Sequence, residues 1–411
     1  MSDDLTRLQA KQALRLLLDV NPTSGVLVNH LPNAVLLLSM DPDFKGLLVH
    51  NSFRSTTMLT RSPPGSVEQP GPYPRPMTDE DVGAILVHMH ALQMSKMSRE
   101  MLAIAITYVA GGTRFHPVCD WLDSLRWDGV PRLDRWLNIV FGAEDSLGYH
   151  TKIGRIFLAA AVRRVRQPGI KFDYVLVLEG DQGIGKSLCC RSLFSTEWFT
   201  DSLPPDWRGK EAPHALLGVW GVELADLEQL ARNESEVIKA FLSRQEDRFR
   251  KPYGHGFITQ PRQMVFIGTT NVDDYNKDTT GGRRFWPVKC TRADHEWLTV
   301  NRDQLWAEAS AKEPSERLWM DDEELEAYAK EQMKLRTPAD LWHDRIAGAI
   351  FGRTTITVDE LLEPDVIGVP INERTKRDAD RVRSILRLEG WETTLRWSPA
   401  RKAMCRVWVK K

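Results

Sequence analysis

The chain has 411 residues, of which 42% are apolar, enough for about two to four domains with large cores. Its formal net charge of −1 excludes a uniformly basic nucleic-acid binder and leaves such contacts to local patches. Five cysteines without paired metal-ligand spacing, an N-terminus without an apolar signal core, and no apolar run of about 18 residues argue against a disulfide framework, a secretory signal and a membrane span, so a cytoplasmic protein is expected.

Residues 1–60 open with a helical stretch, followed by NAVLLLS (Asn33–Ser39) and Gly46–Val49, and read as a small α/β region. Residues 61–77, RSPPGSVEQPGPYPRPM, carry six prolines and two glycines and read as a linker. Thr78 is an N-cap with Asp79, Glu80 and Asp81 in the first turn, and Val82, Ile85, Leu86 and Met89 follow at helical spacing. A second helix starts at Ser98 and runs to about Ala110. The pair reads as plain helix packing rather than a DNA-reading unit, because it is not basic. PVCDWLDSLRWDGVPRLDRWL (117–137) predicts a Trp-rich helix, a WDG turn and a helix entered through Pro131, which completes a helical region over 78–149.

The region 150–310 carries the chemistry. Tyr174–Glu179 (YVLVLE) has the continuous apolar, β-branched character of a buried parallel strand. Gly180, Asp181, Gln182, Gly183, Ile184, Gly185, Lys186 and Ser187 follow, and then a helical stretch. This is G-x-x-x-x-G-K-S in the strand–loop–helix context it requires. Glycines let backbone N–H groups turn inward around phosphate oxygens, and the helix N-terminus adds partial positive charge. Lys186 is expected to bridge the β- and γ-phosphates of ATP, and Ser187 to complete the shell of Mg²⁺.

The next strand, within 215–230 (ALLGVWGVELADLEQL), stays apolar until Glu223 and then gives Asp226. An acid at that strand end would hold Mg²⁺ through water or activate the attacking water, and either residue fits. Gln263–Gly268 is another buried strand, ending in Thr269, Thr270 and Asn271, whose amide suits positioning of a lytic water. DTTGGRRFWPV (278–288) offers Arg283 or Arg284 as an arginine finger for a neighbouring subunit. Between these strands lie Arg244, Arg248, Arg250, Lys251, His255 and Arg262, with Tyr253-Gly254-His255-Gly256 as a hairpin tip. Arg244, Arg248, Arg250, Lys251, Tyr253 and His255 make a basic hairpin with an aromatic tip, suited to a single-stranded backbone; a structural or interface hairpin is the alternative.

Residues 311–411 begin with a charged, solvated helical region at Lys312–Lys334. Ile356–Leu362, a helix from about Arg377 to Leu388, and strands Trp391–Trp397 and Met404–Val409 follow as helix–helix–hairpin, a winged-helix-like outline. Residues 374–411 hold twelve Lys/Arg against four Asp/Glu, a net charge of +8, which points to duplex contact or to packing against a ring.

WLDSLRWDGVPRLDRWL, PGIKFDYVLVLEGDQGIGKS, GVWGVELADLE, IKAFLSRQEDRFRKPYG, QMVFIGTTN and GGRRFWPV, in this order, resemble the virulence-associated E family of phage and prophage P-loop proteins. The resemblance covers about residues 115 to 290 and is looser in the flanks. It implies an α/β fold with a superfamily 3-like AAA+ core, ATP and Mg²⁺ as ligands, and a homo-oligomeric ring, usually a hexamer, moving on single-stranded DNA in a bacterial host cell. By position it implies Lys186 and Ser187 as Walker A, Glu223 as Walker B, Asn271 as sensor 1, Arg283/Arg284 as the finger region, and Lys251 and His255 as DNA contacts. Glu223 and Asp226 stand three apart instead of adjacent, which departs from the pattern and leaves the base open between them. Relatives are often fused to a primase; no such signature stands here, so a separate primase is expected as partner. The expected activity is a DNA-translocating ATPase or helicase in phage, prophage or satellite replication. A P-loop switch without unwinding is the alternative.

Overall fold

The computed structural model describes residues 2–66, 72–204, 206–207, 209, 211–225, 227, 235–250, 257–272, 275, 282–336, 340–398 and 403–410. Among them no helix is long and apolar enough to cross a membrane.

Helices Ser2–Arg15, Leu31–Met40, Asp79–Ala91 and Arg99–Gly111 accompany a sheet of β1 (Leu48–Asn51), β2 (Thr56–Leu59), β3 (Arg75–Pro76) and β4 (Arg114–Phe115), in the order β3-β2-β1-β4. One apolar core, from Leu14 to Ala110, joins the four helices with β1 and β2. The expected division at 61–77 therefore separates no cores. The end of the Pro-rich stretch pairs with β2, Met58 opposite Pro76 and Leu59 opposite Arg75. Proline is tolerated there because β3 is an edge strand and needs no donor on its outer side. Arg75 is also fastened to Asp81 through two hydrogen bonds of 2.7 Å, and Asp81 closes a capping box with Thr78. The Arg75 guanidinium holds the Asp81 carboxyl below the usual carboxylate range.

The central sheet contains β5 (Val175–Glu179), β6 (Phe199–Thr200), β7 (Gly221–Leu224), β10 (Val265–Thr270) and β11 (Phe285–Lys289), in the order β11-β5-β10-β7-β6. Every neighbouring pair is parallel. Alternate residues serve opposite faces, as the strand period of two requires. Leu176 and Leu178 join one core with helices Trp136–Phe141, Tyr149–Arg166, Lys186–Phe194 and His295–Lys312. Val175 and Val177 join another with the helix Ser235–Leu242. Both faces are thus covered, which explains the unbroken apolar reading of β5.

Residues 117–149 share the core of the central sheet. Two helices differ from expectation. The helix expected at Pro131 starts at Trp136; before it, Asp128 pairs with Arg132 at 2.8 Å, and Glu308 accepts from the backbone N–H groups of Arg132 and Leu133. The charged helix Glu323–Leu335 is not solvated all round, since Leu325, Ala329 and Met333 bury one stripe on the central cores.

β8 (Glu246–Arg250) and β9 (Phe257–Pro261) form an antiparallel hairpin that enters β10. At the C-terminal end, helices His343–Ile350, Val358–Leu361 and Lys376–Leu388 enclose a separate core with β12 (Thr355–Ile356), β13 (Trp391–Ser398) and β14 (Ala403–Lys410), paired antiparallel in the order β12-β14-β13.

Candidate active site

The loop Gly180–Gly185 leaves the C-terminal end of β5 and turns directly into the helix Lys186–Phe194. β5 lies between β10 and β11, so the chain's successive strands depart to either side of it. Open parallel sheets bind ligands at this kind of crevice, beyond the strand C-termini. Two glycines are required by geometry. Gly185 adopts φ +102°, and a Cβ on Gly180 would meet the Cys290 carbonyl oxygen at 2.6 Å.

Lys186 is buried, and its Nζ donates to the carbonyl oxygens of Gly180 at 2.6 Å and Asp181 at 2.9 Å. Its ammonium is therefore folded across the mouth of the loop. Ser187 Oγ donates to Glu223 Oε1 at 2.6 Å, and Thr269 Oγ1 donates to the same oxygen at 2.7 Å. Glu223 is 2% exposed, and its Oε2 is buried with no hydrogen-bond partner among the described residues. A buried carboxylate oxygen of this kind is costly unless a donor or cation meets it. With Ser187 alongside, the donor set fits the water shell of a hard divalent cation. Asn271 directly follows Thr270 at the tip of β10 and is exposed, while the Thr270 carbonyl accepts from Gly180 N–H at 3.2 Å. β5, β7 and β10 thereby bring Lys186, Ser187, Glu223 and Asn271 to one end of the sheet. Asp226 lies outside the described residues.

Arg283 and Arg284 sit elsewhere. They form a short 3-10 turn, Gly282–Arg284, that enters β11. Phe285 is level with Val175 and Lys289 with Glu179, so both arginines lie at the sheet end opposite the loop, about 13 Å or more away along β5. The two differ in employment. Arg284 Nε donates to Asp173 Oδ2 at 3.0 Å and Nη2 to Ser243 Oγ at 3.3 Å. Arg283 is exposed and has no partner among the described residues.

The basic hairpin rises from the same end. Arg248 and Arg250 occupy the exposed face of β8; Arg250 is opposite Phe257, and the Arg248 guanidinium lies 5.2 Å from the Phe257 ring centre. Phe257 is an exposed aromatic that reading the tip alone missed, although its place beside the Gly-rich tip marks it. Arg244 is engaged at the hairpin base, 3.7 Å from Asp247 and over the Phe241 ring. Arg262 does not belong to the basic surface: it is 1% exposed and holds Asp247 through bonds of 2.6 and 2.9 Å. Lys251, Tyr253 and His255 lie outside the described residues.

Residues 122–337 match the profile of the virulence-associated protein E-like domain. The chain belongs to this family. The family segment of this virulence-associated E-like protein covers the central sheet, the loop and the hairpin, and leaves the N-terminal α/β unit and the C-terminal helix-and-hairpin unit outside. Among solved structures, the chain is similar to the A-form apo C-terminal region of NrS-1, at 14% identity and a TM-score of 0.39, over 71% of this chain and 78% of that one. A second apo structure of the same region gives 14% and 0.38 over the same shares. No curated protein matches the chain.

Beside the loop, Glu179, Tyr275 and Arg336 escaped the sequence reading. Glu179, the last residue of β5, is buried, and its carboxylate accepts from Tyr275 Oη at 2.7 Å and from Arg336 Nη2 at 2.6 Å and Nε. Burial opposes the Arg336 charge, but the Glu179 carboxylate prevails and raises the guanidinium's pKa.

Proposed function

We propose that this protein binds ATP with Mg²⁺ at Gly180–Ser187 and hydrolyses it to move on DNA, as a superfamily 3-like AAA+ helicase in phage, prophage or satellite replication. The observation that carries the reading is the Ser187–Glu223–Thr269 contact beside the phosphate loop, with one buried Glu223 oxygen that has no hydrogen-bond partner among the described residues. The sheet order supports it: counted from the loop strand it is 5-1-4-3-2, the order of AAA+ cores.

Lys186 leaves the loop carbonyls and meets the transferring phosphate charge. Ser187 and Glu223 would hold Mg²⁺, which when bound would neutralise phosphate oxygens. The free Glu223 oxygen orients and polarises the attacking water, and Asn271 fixes that water from the tip of β10. Arg283 is the finger. It lies at the far end of its own sheet, so it serves the nucleotide of a neighbouring subunit, and a ring of like subunits, such as a hexamer, closes the set. Arg284 is the residue that holds this turn in place.

Arg248, Arg250 and Phe257 present charge and an aromatic face to single-stranded DNA, with Lys251, Tyr253 and His255 completing the tip. The C-terminal unit is winged-helix-like and contacts duplex DNA at an origin or fork. Arg374, Arg381 and Arg383 are paired with Glu363, Asp340 and Asp380, so the contact falls to residues such as Arg396 and Arg406. A separate primase supplies primers.

The test is ATP hydrolysis by Lys186→Ala beside the parent. Turnover is expected to fall by about 10³-fold or more with melting temperature little changed, because a positioned cation facing transition-state charge is lost. Near-parental turnover overturns the assignment. Parental hydrolysis without strand displacement on a forked DNA leaves a P-loop switch instead of a helicase.

A further inference from the structure

Glu179 is placed where three segments meet. Its own carbonyl accepts from Cys290 N–H at 2.6 Å, which fixes the strand end. Its carboxylate binds Tyr275, beyond the tip of β10, and Arg336, which caps the helix Glu323–Leu335. Arg336 Nη1 returns to Gln332, donating to its carbonyl at 2.7 Å and its side-chain oxygen at 2.9 Å. The guanidinium is thereby locked between the helix end and the carboxylate. Tyr149 Oη, also buried there, has no partner among the described residues. A well-packed apolar side chain would end β5 at lower desolvation cost than this ion pair. The pair therefore supplies position more than stability.

What it positions follows from the chain. Gly180 is the next residue, and the Gly180 and Asp181 carbonyls are the ones that Lys186 occupies. Movement of Lys186 onto phosphate releases those carbonyls, and the first peptide of the loop is anchored only one residue from Glu179. On the other side, Arg336 ends the helix Glu323–Leu335, and the next helix, His343–Ile350, belongs to the C-terminal core.

We propose that Glu179 is a positioning residue: through Arg336 it transmits the state of the phosphate loop to the C-terminal unit, and through Tyr275 to the segment after Asn271. This rests on the nucleotide reading above. The result is a direct mechanical link between ATP occupancy and the orientation of the helix that leads to the C-terminal unit.

The experiment is hydrogen exchange on the full chain with and without ATPγS, followed in the peptides covering Glu323–Leu335, His343–Ile350 and the segment after Asn271, together with ATPγS affinity. In the parent, nucleotide should change exchange in both peptides by about threefold or more. In Glu179→Gln and Arg336→Met the response should vanish, while affinity stays within about threefold and Arg336→Lys restores part of the response. A full response in both variants overturns the link, and so does a loss of affinity that parallels the loss of response. If those variants do not fold, Tyr275→Phe decides, since it removes one donor and keeps the ion pair: a response weakened after Asn271 supports the proposal, and an unchanged one overturns it. A parent that does not bind ATPγS at all overturns the nucleotide reading itself, a result distinct from a parent that binds and variants that still respond.

Discussion

The two ends of the central sheet are built to different degrees of completeness. At the C-terminal end, Lys186, Ser187 and Thr269 all bond to partners within the chain, and Glu223 Oε2 has no hydrogen-bond partner among the described residues. At the N-terminal end, Arg283 is exposed with no hydrogen bond or ion pair among the described residues, and Arg248, Arg250 and Phe257 lie exposed on the hairpin. Beneath those groups, however, the framework is tightly bonded: Arg262 to Asp247, and Arg284 to Asp173 and Ser243. One end thus gathers a lysine, two hydroxyls and a carboxylate into a bonded cluster around the loop. The other is a bonded mount whose charged and aromatic groups face outward.

The sharpest contrast is between adjacent arginines. Arg283→Ala should lower DNA-stimulated hydrolysis by about 10³-fold, the usual worth of an arginine finger, with no change in melting temperature. Equal activity in Arg283→Ala and the parent would remove the finger from that end of the sheet. Glu223→Gln should slow hydrolysis by about 10²-fold while ATP still binds, because shape is kept and charge is lost. Single-turnover kinetics read both, and a stall in Asp226→Asn with normal Glu223→Gln would move the base to Asp226.

Smaller effects belong to the mount. Arg284→Ala strands Asp173 and Ser243, so thermal and urea unfolding should report a loss of about 1–3 kcal/mol. A neutral result would mean that Arg284 is as free as Arg283. The double substitution Lys251→Ala with His255→Ala should leave basal hydrolysis intact and abolish its stimulation by single-stranded DNA. The log–log salt slope of binding should flatten by about one per lost phosphate contact. Lost basal hydrolysis would instead give the tip a role in the fold or the subunit interface.

The loop was legible because its chemistry is local: glycine spacing, lysine and serine sit in one octet after an apolar strand. Glu223 was legible as the first charge in a buried run. The distinction between Arg283 and Arg284 was not, because it depends on Asp173, 111 residues distant in sequence from Arg284. Glu179 looked like an ordinary strand end for the same reason, its partner Arg336 lying 157 residues away. The helix Glu323–Leu335 read as solvated because its charges outnumber Leu325, Ala329 and Met333, although their i, i+4, i+8 spacing is that of a buried stripe. Proline content hid β3, where edge position outweighs the missing donor.

The central claim is that one nucleotide site is assembled from two subunits. It is tested by mixing Lys186→Ala with Arg283→Ala at concentrations where both assemble. Each alone should be inactive. Mixed rings contain interfaces with an intact loop on one side and an intact arginine on the other, so hydrolysis should reappear at up to about a quarter of the parental rate per random interface. No recovery in rings shown by mass to contain both subunits would contradict a finger acting between subunits.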